Sequence, residues 1–255
     1  MSRVFSGLIQ VLKNANDSIH IKLNNPPVNA LSSQLIDELY NALMDINSNN
    51  QYKFLEITGL NKHFSAGADL KERACMSNEE TIDFVGKLND CFDLIENLKI
   101  PTIAAVQGAT LGGGAELALC CDVILIDQDS SFDDIKVGFP ETTIGIIPGG
   151  GGTYRINKKM SASLAKYWIL SGKIFSYKEA VKDGFIDIEC FEKGVDYKLC
   201  LSNNSRASLV AAKESMNQCY LEIDRKKQRL IELEEYKKTL DSPERREALK
   251  KYGKK

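Results

Sequence analysis

The sequence predicts an α/β fold, on three observations. Short apolar or alternating runs of strand character are separated by segments of helical spacing. Glycine-rich loops stand at the exits of two of those strands. Beyond about Ser205 the strand pattern stops, and charged helical sequence continues to the end. Strands alternating with helices favour βαβ-type units over a sandwich or a bundle, and 255 residues suffice for one large core.

From Ser18 to Leu23 apolar and polar residues alternate as in a half-buried strand, and Asn24-Asn25-Pro26-Pro27 ends it. Ser32 or Ser33 is placed to cap a helix in which Leu35, Ile36, Leu39, Leu43 and Ile46 recur at helical spacing up to Asn47. Phe54 to Thr58 reads as a strand closed by Gly59, and the loop Phe64 to Asp69 leads into a mostly helical stretch ending near Lys99. Pro101 opens a buried strand, Thr102 to Val106; Gly108 to Gly114 reads as loop and Ala115 to Cys121 as helix. Val123 to Ile126 is a further strand, followed by helices over Ser163 to Leu170 and from near Ser176. Between Leu221 and Tyr252, Leu230, Leu233, Tyr236 and Leu240 recur at helical intervals in highly charged sequence. The expected organisation is a core carrying the active site over residues 1–195 and a helical region over 196–255.

Hydrophobic residues at 43% and charged residues at 27% are those of an ordinary soluble protein and exclude a disordered or fibrous chain. A formal charge of -2 predicts no strong attraction to nucleic acid or anionic lipid. No run approaches the roughly 20 apolar residues that span a bilayer, and Met1-Ser2-Arg3-Val4-Phe5 lacks the apolar block of a secretory signal, so the expected compartment is the cytoplasm. Seven cysteines without metal spacing, two of them adjacent at Cys120-Cys121, read as buried free thiols. His20 and His63 lie far apart and outside any ligand motif, and no metal site is expected.

The chemistry concentrates in two loops and two acids. Gly67-Ala68-Asp69 and Gly112-Gly113-Gly114 each follow a predicted strand and bring backbone N–H groups to its exit. The second precedes a helix, whose start adds partial positive charge suited to an anion or a developing oxyanion. A merely structural turn fits Gly112 to Gly114 equally well, while phosphate cradling lacks both Gly-x-Gly-x-x-Gly and Gly-Lys-Ser/Thr. Glu116 stands one turn into that helix among Ala115, Leu117, Ala118 and Leu119, where a carboxylate is costly unless paired, hydrogen-bonded or used; the macrodipole alone also favours an acid there. Glu141, between Pro140 and the apolar, glycine-rich run to Gly152, is a second acid in such company. Two carboxyls in different surroundings suit acid/base work, one keeping a proton while the other takes one.

These segments resemble the crotonase, or enoyl-CoA hydratase/isomerase, family. The matching residues are Asn25 to Leu31, Phe64 to Glu72, Ile100 to Gly108 continuing through Gly112-Gly113-Gly114-Ala115-Glu116-Leu117-Ala118, and Pro140-Glu141 through Gly152. The resemblance implies a spiral of repeated ββα units, a C-terminal helical region, and homotrimers or hexamers built as paired trimers. It implies an oxyanion hole formed by the N–H groups of Ala68 and Gly113, an effect worth roughly 3–4 kcal/mol per donor in studied enzymes of other kinds. It casts Glu116 as the residue that helps activate water for attack at Cβ and Glu141 as the one that protonates Cα. Phe64, Ser65, Ala66, Ala68, Asp69, Leu70 and Gly112 are the expected substrate contacts, while Lys62 and Lys71 read first as solvated surface, with phosphate contact the alternative. No cofactor is expected, because coenzyme A or phosphopantetheine arrives as part of the substrate.

The family commonly reads Phe-Gly-x-Pro-Glu at the second acid, whereas here Phe132 is separated from Pro140-Glu141 by Asp133 to Phe139, an insertion of about five residues in a loop position that carries specificity. Counting from Asp122 puts Lys136 at the acid's place; counting back from Pro148-Gly149 puts Glu141 there, and the intact downstream context favours Glu141. The expected activity is hydration of a 2,3-enoyl thioester or its reverse. Alternatives are a dehydratase, decarboxylase or isomerase acting on an acyl-carrier-protein substrate in polyketide assembly, and a noncatalytic acyl-CoA or RNA-binding scaffold. Against the last, acidic residues interleave with basic ones from Arg225 to Lys255.

Overall fold

A row of side chains from four parallel strands, Ile21, Ile57, Ala104 and Ile124, forms the floor of the core, each paired with the next and each without solvent exposure. The computed structural model describes residues 2–3, 7–14, 17–127, 130–187 and 197–252. Its strands in chain order are β1 (Ser2–Arg3), β2 (Ile9–Lys13), β3 (Ser18–Leu23), β4 (Phe54–Gly59), β5 (Thr102–Val106), β6 (Ala109–Leu111), β7 (Val123–Ile126), β8 (Lys136–Gly138) and β9 (Ile174–Ser176). The helices are α1 (Ser33–Ser48), α2 (Leu70–Arg73), α3 (Asn78–Glu96), α4 (Gly113–Leu119), α5 (Gly152–Arg155), α6 (Ala162–Ser171), α7 (Tyr177–Lys182), α8 (Tyr197–Asn203), α9 (Arg206–Leu221), α10 (Arg225–Thr239) and α11 (Pro243–Tyr252).

The main sheet has the order β1-β2-β3-β4-β5-β7, antiparallel through β3 and parallel from β3 to β7. A smaller sheet joins β6, β8 and β9. The unit β5, β6 and α4 gives its first strand to one sheet and its second to the other, as β7 and β8 also do, whereas β2 and β3 ahead of α1 both lie in the main sheet. One face of the main sheet packs on α1 and α3 through Leu35, Leu39, Leu43, Phe92 and Ile95. The other face sets Phe54, Ile103 and Leu125 against Leu201 of α8. Burial on both faces explains why β4 and β5 read as continuous apolar runs with little alternation.

Local signals set the ends of the longer helices. The Ser32 hydroxyl accepts from the Leu35 N–H at the start of α1, and Ser77 with Glu80 makes a reciprocal capping box at the start of α3. The predicted helical stretch to Lys99 is thus two helices, α2 and α3, with the new start fixed by Ser77. Inside the predicted loop Gly108 to Gly114 lies β6, and α4 begins two residues ahead of Ala115, at Gly113. A strand of three residues has no readable period, and β6 exists because β8 pairs with it in parallel. The boundary expected between residues 195 and 196 lies outside the described residues.

The register of β8 also relocates the insertion. Leu111 pairs with Gly138, so Val137-Gly138-Phe139-Pro140-Glu141 occupies the Phe-Gly-x-Pro-Glu motif, with valine at its first position in place of Phe132. The extra residues precede this strand. Phe132 to Asp134 form a single 3-10 turn pinned by the Phe132 ring stacked 4.7 Å from Tyr177, and Lys62 pairs with Asp134 at 3.3 Å. Of the seven cysteines, Cys91, Cys120 and Cys121 are buried as expected, but Cys75 and Cys200 are exposed.

Candidate active site

The first glycine loop is held against the second by backbone bonds. Phe64 and Ser65 donate to Gln107 and Ala109, and Ser65 accepts from Leu111, so the loop runs alongside β6. Leu31 N donates to Gly67 O at 2.8 Å and Asp69 N to Leu31 O at 3.3 Å. These bonds flank Ala68 without using its own amide, which in an extended segment points the other way. Gly67, at φ +93, must be glycine, because a Cβ there would lie 2.7 Å from Leu111 O and 3.0 Å from Gly113 N.

The second loop reaches the same spot. Gly112 has φ +51, donates to Gly138 O at 2.9 Å, and would bring a Cβ within 2.8 Å of Glu141 Oε1. Gly113 is the first residue of α4, where an amide has no intrahelical acceptor. A Cβ on Gly113 would sit 3.6 Å from Ala68 N. Among the described residues neither the Ala68 nor the Gly113 N–H has a hydrogen-bond acceptor. Two amides from separate turns therefore lie side by side with nothing to bond.

Both glutamates belong to this place. Glu116, 2% exposed, accepts at Oε1 from Gly150 N and Gly152 N, each at 2.8 Å. Burial raises its carboxyl above the ordinary range, while the two amides and the Arg155 guanidinium pull the other way. Glu141 is carried by the 3-10 turn Pro140–Ile144 and is 8% exposed. Burial first, and the nearby Glu116 charge after it, push its carboxyl up to about 7 against its own backbone amide. Its Oε2 is buried with no hydrogen-bond partner among the described residues. One carboxyl is clamped and the other is free.

Behind the clamp stands an arginine that sequence reasoning missed. Arg155, 1% exposed, donates from Nη1 to Gly150 O and from Nε to Glu96, both at 2.8 Å, and pairs with Asp93. Gly150 thus accepts from Arg155 at its carbonyl and donates its N–H to Glu116. Asn89 Nδ2 adds a bond to Gly149 O at 2.8 Å. Helix α3 therefore fixes the glycine ribbon that fixes Glu116.

A cavity of about 780 Å³ opens over these groups, with Ala68, Gly113, Glu116 and Glu141 among its lining residues. Its walls are largely apolar and come from Leu31, from Phe84, Val85 and Leu88 of α3, and from the segment Ile144 to Pro148. Of the expected contacts, Ala66, Ala68, Leu70 and Gly112 line the cavity. Phe64 and Ser65 are fully buried behind it, and Asp69 caps α2 by accepting from Lys71 N and Glu72 N. None of residues 130–139 lines it, so the insertion stands away from the glutamates. Among the described residues no cluster of His, Cys, Asp and Glu could hold a metal ion.

The family model described as enoyl-CoA hydratase/isomerase matches residues 14–255. The mitochondrial enoyl-CoA hydratase of Pongo abelii is 34% identical over 223 residues, covering 85% of this chain and 74% of that protein. The mitochondrial methylglutaconyl-CoA hydratase of Homo sapiens is 43% identical over 162 residues, covering 62% of this chain and 45% of that protein. Among solved structures, an enoyl-CoA hydratase from Bacillus anthracis superposes with a TM-score of 0.88 at 31% identity, covering 97% of this chain and 96% of that one.

Proposed function

Because the chain belongs to the enoyl-CoA hydratase/isomerase family, we propose that it adds water across the 2,3-double bond of an enoyl-CoA, or removes it, with Glu116 and Glu141 as the acid/base pair. The observation that carries the residue roles is the meeting of two unengaged amides and two differently held carboxyls in one cavity. The thioester oxygen accepts from Ala68 N–H and Gly113 N–H, which draws electron density toward C1 and leaves C3 electrophilic. Glu116, whose clamp of amides favours the carboxylate, takes a proton from water as its oxygen bonds to C3. Glu141, whose carboxyl burial pushes up to about 7 so that a protonated fraction persists near neutral pH, delivers its proton to C2 as the oxyanion collapses. Hydroxyl ends on C3 and hydrogen on C2, and a proton passing from Glu116 to Glu141 through solvent resets the pair.

Coenzyme A is part of the substrate in this scheme and leaves with the product. The helical region from residue 196 on is the proposed contact between subunits of a trimer or hexamer. Met216, Tyr220, Leu221 and Ile223 near the end of α9, and Leu230 and Tyr236 on α10, are exposed apolar residues that a monomer leaves in water. Among the described residues no helix is long and apolar enough to cross a membrane, and the proposed compartment is the cytoplasm.

The test is the loss of enoyl-thioester absorbance with crotonyl-CoA. Glu116→Ala and Glu141→Ala should each lower kcat by about 10²- to 10⁴-fold, the range for a positioned acid or base. Normal turnover by either variant would overturn the assignment.

A further inference from the structure

We propose that Arg73 adapts this cavity to enoyl thioesters whose acyl group ends in a carboxylate, a substrate class that rests on the hydratase reading above. Helix α2 starts two residues after Ala68, and its residues Leu70 and Arg73 both line the cavity, as positions three apart on one turn should. Apart from Glu116 and Glu141, Arg73 is the charged residue among the described residues of the lining. Its neighbours there are Leu70, Ile82, Phe84 and Val85, with Thr81 as a nearby hydroxyl.

The guanidinium lies 4.8 Å over the ring of Phe84, and its Nη1 is buried without a hydrogen-bond partner among the described residues. The adjacent acid does not satisfy it, because Glu72 Oε2 accepts from Ser33 N at 2.9 Å on the α1 side. Contrast Arg155, which is saturated by Glu96, Asp93 and the Gly150 carbonyl. A buried donor left unmade is costly, and an arginine is a poor wall for a neutral alkyl chain. Both costs vanish if the side chain turns that shielded donor toward an acceptor that a ligand brings into the cavity. The planar fork matches a carboxylate with two parallel N–H bonds, and the Phe84 ring keeps the guanidinium at the cavity wall.

The placement suits a short diacid. The thioester oxygen is held at Ala68, at the foot of α2, and Arg73 is the last residue of the same single-turn helix. Ala68, Leu70, Arg73 and Glu141 line one cavity, so an acyl group that follows this turn from the oxyanion hole brings a carboxylate a few carbons from the thioester toward the guanidinium. The proposal distinguishes Arg73 from the catalytic pair, since it touches the far end of the substrate and no reacting atom.

Hydration rates of crotonyl-CoA and of glutaconyl-CoA, which adds a terminal carboxylate, by the wild-type protein, Arg73→Met and Arg73→Lys test this. The wild type should favour glutaconyl-CoA in kcat/KM. Arg73→Met should lower kcat/KM for glutaconyl-CoA by about 100-fold, mostly through KM, the loss expected for a hydrogen-bonded charge pair. Its rate with crotonyl-CoA should hold or rise, and Arg73→Lys should recover part of the binding. Equal losses on both substrates, or a wild-type preference for crotonyl-CoA, would overturn the role of Arg73 and leave the hydratase reading standing. Hydration of neither substrate by the wild type would sink both.

Discussion

Glu116 and Glu141 are the same chemical group facing the same cavity, both pushed up by burial, and the fold holds them differently. Glu116 is carried by a helix and its Oε1 receives two amides at 2.8 Å. Glu141 comes from a 3-10 turn, keeps a buried oxygen with no partner among the described residues, and titrates near 7. Donors aimed at an oxygen favour the anion, while burial without donors favours the acid. The difference lies in the second layer, in the Gly150 to Gly152 ribbon that serves one carboxyl and bypasses the other.

The sharpest way to break this contrast is through pH. With Glu141 as the acid, hydration needs its protonated form, so kcat/KM should fall about tenfold per pH unit well above its titration near 7. Glu141→Gln keeps the shape, has no proton to give, and should lose about 10²- to 10⁴-fold in kcat together with that limb. A falling limb that survives in Glu141→Gln would assign the acid elsewhere.

Next in size is the removal of the support behind Glu116. Arg155→Met leaves the Gly150 carbonyl without its donor and Glu96 with Lys158 alone, and loss of one partner of a buried pair costs about 3–5 kcal/mol. Asp93 is partly solvated, its side chain 56% exposed, which places the expected loss at the lower end of that range. Urea unfolding measures it. Arg155→Lys should recover part of the stability yet leave kcat reduced, because one ammonium cannot hold Glu96, Asp93 and Gly150 in a fixed fork. Full recovery of kcat in the lysine variant would show that charge alone suffices.

A smaller effect has the opposite sign. The Glu141 carboxyl is raised from 4.5 to about 7, so its ionisation weakens the folded state progressively as pH rises between those values. Glu141→Gln removes that cost. The variant should be more stable than the wild type by about 1–2 kcal/mol at pH 8, below the roughly 3 kcal/mol of the full shift because the carboxyl keeps some contact with solvent, and no more stable below pH 4.5, a stability gain at the expense of activity. Melting curves at the two pH values check it, and equal stability at pH 8 would mean that Glu141 ionises freely in the fold.

Much of this contrast was legible in the sequence, and the gaps have physical causes. Glu116 and Glu141 stood out because acids among apolar residues and glycines need a reason, and α1 was readable from Ser32 and its apolar spacing. Arg155 was not, because its partners Asp93 and Glu96 are 62 and 59 residues away and no local pattern marks an arginine as buried. Strands β6, β8 and β9, of three residues each, owe their form to mutual pairing. Anchoring the motif on Phe132 passed over Val137-Gly138-Phe139-Pro140-Glu141, where valine stands in for the aromatic residue and where β8 pairs with β6.

Asn89 offers the finest probe of how far the ribbon's order reaches. Its amide donates to Gly149 O at 2.8 Å and to Val85 O at 2.8 Å, so it ties α3 to the residue just before the Glu116 clamp. Asn89→Ala removes one bond to the ribbon while Arg155 keeps its own to Gly150, and the stability loss should be about 1 kcal/mol. If Glu116 depends on the exact pose of the Gly150 amide, kcat should fall several-fold with KM little changed, because the cavity walls are untouched. If Arg155 alone sets that pose, kcat should stay at the wild-type value, and the support of Glu116 would then rest on one side chain.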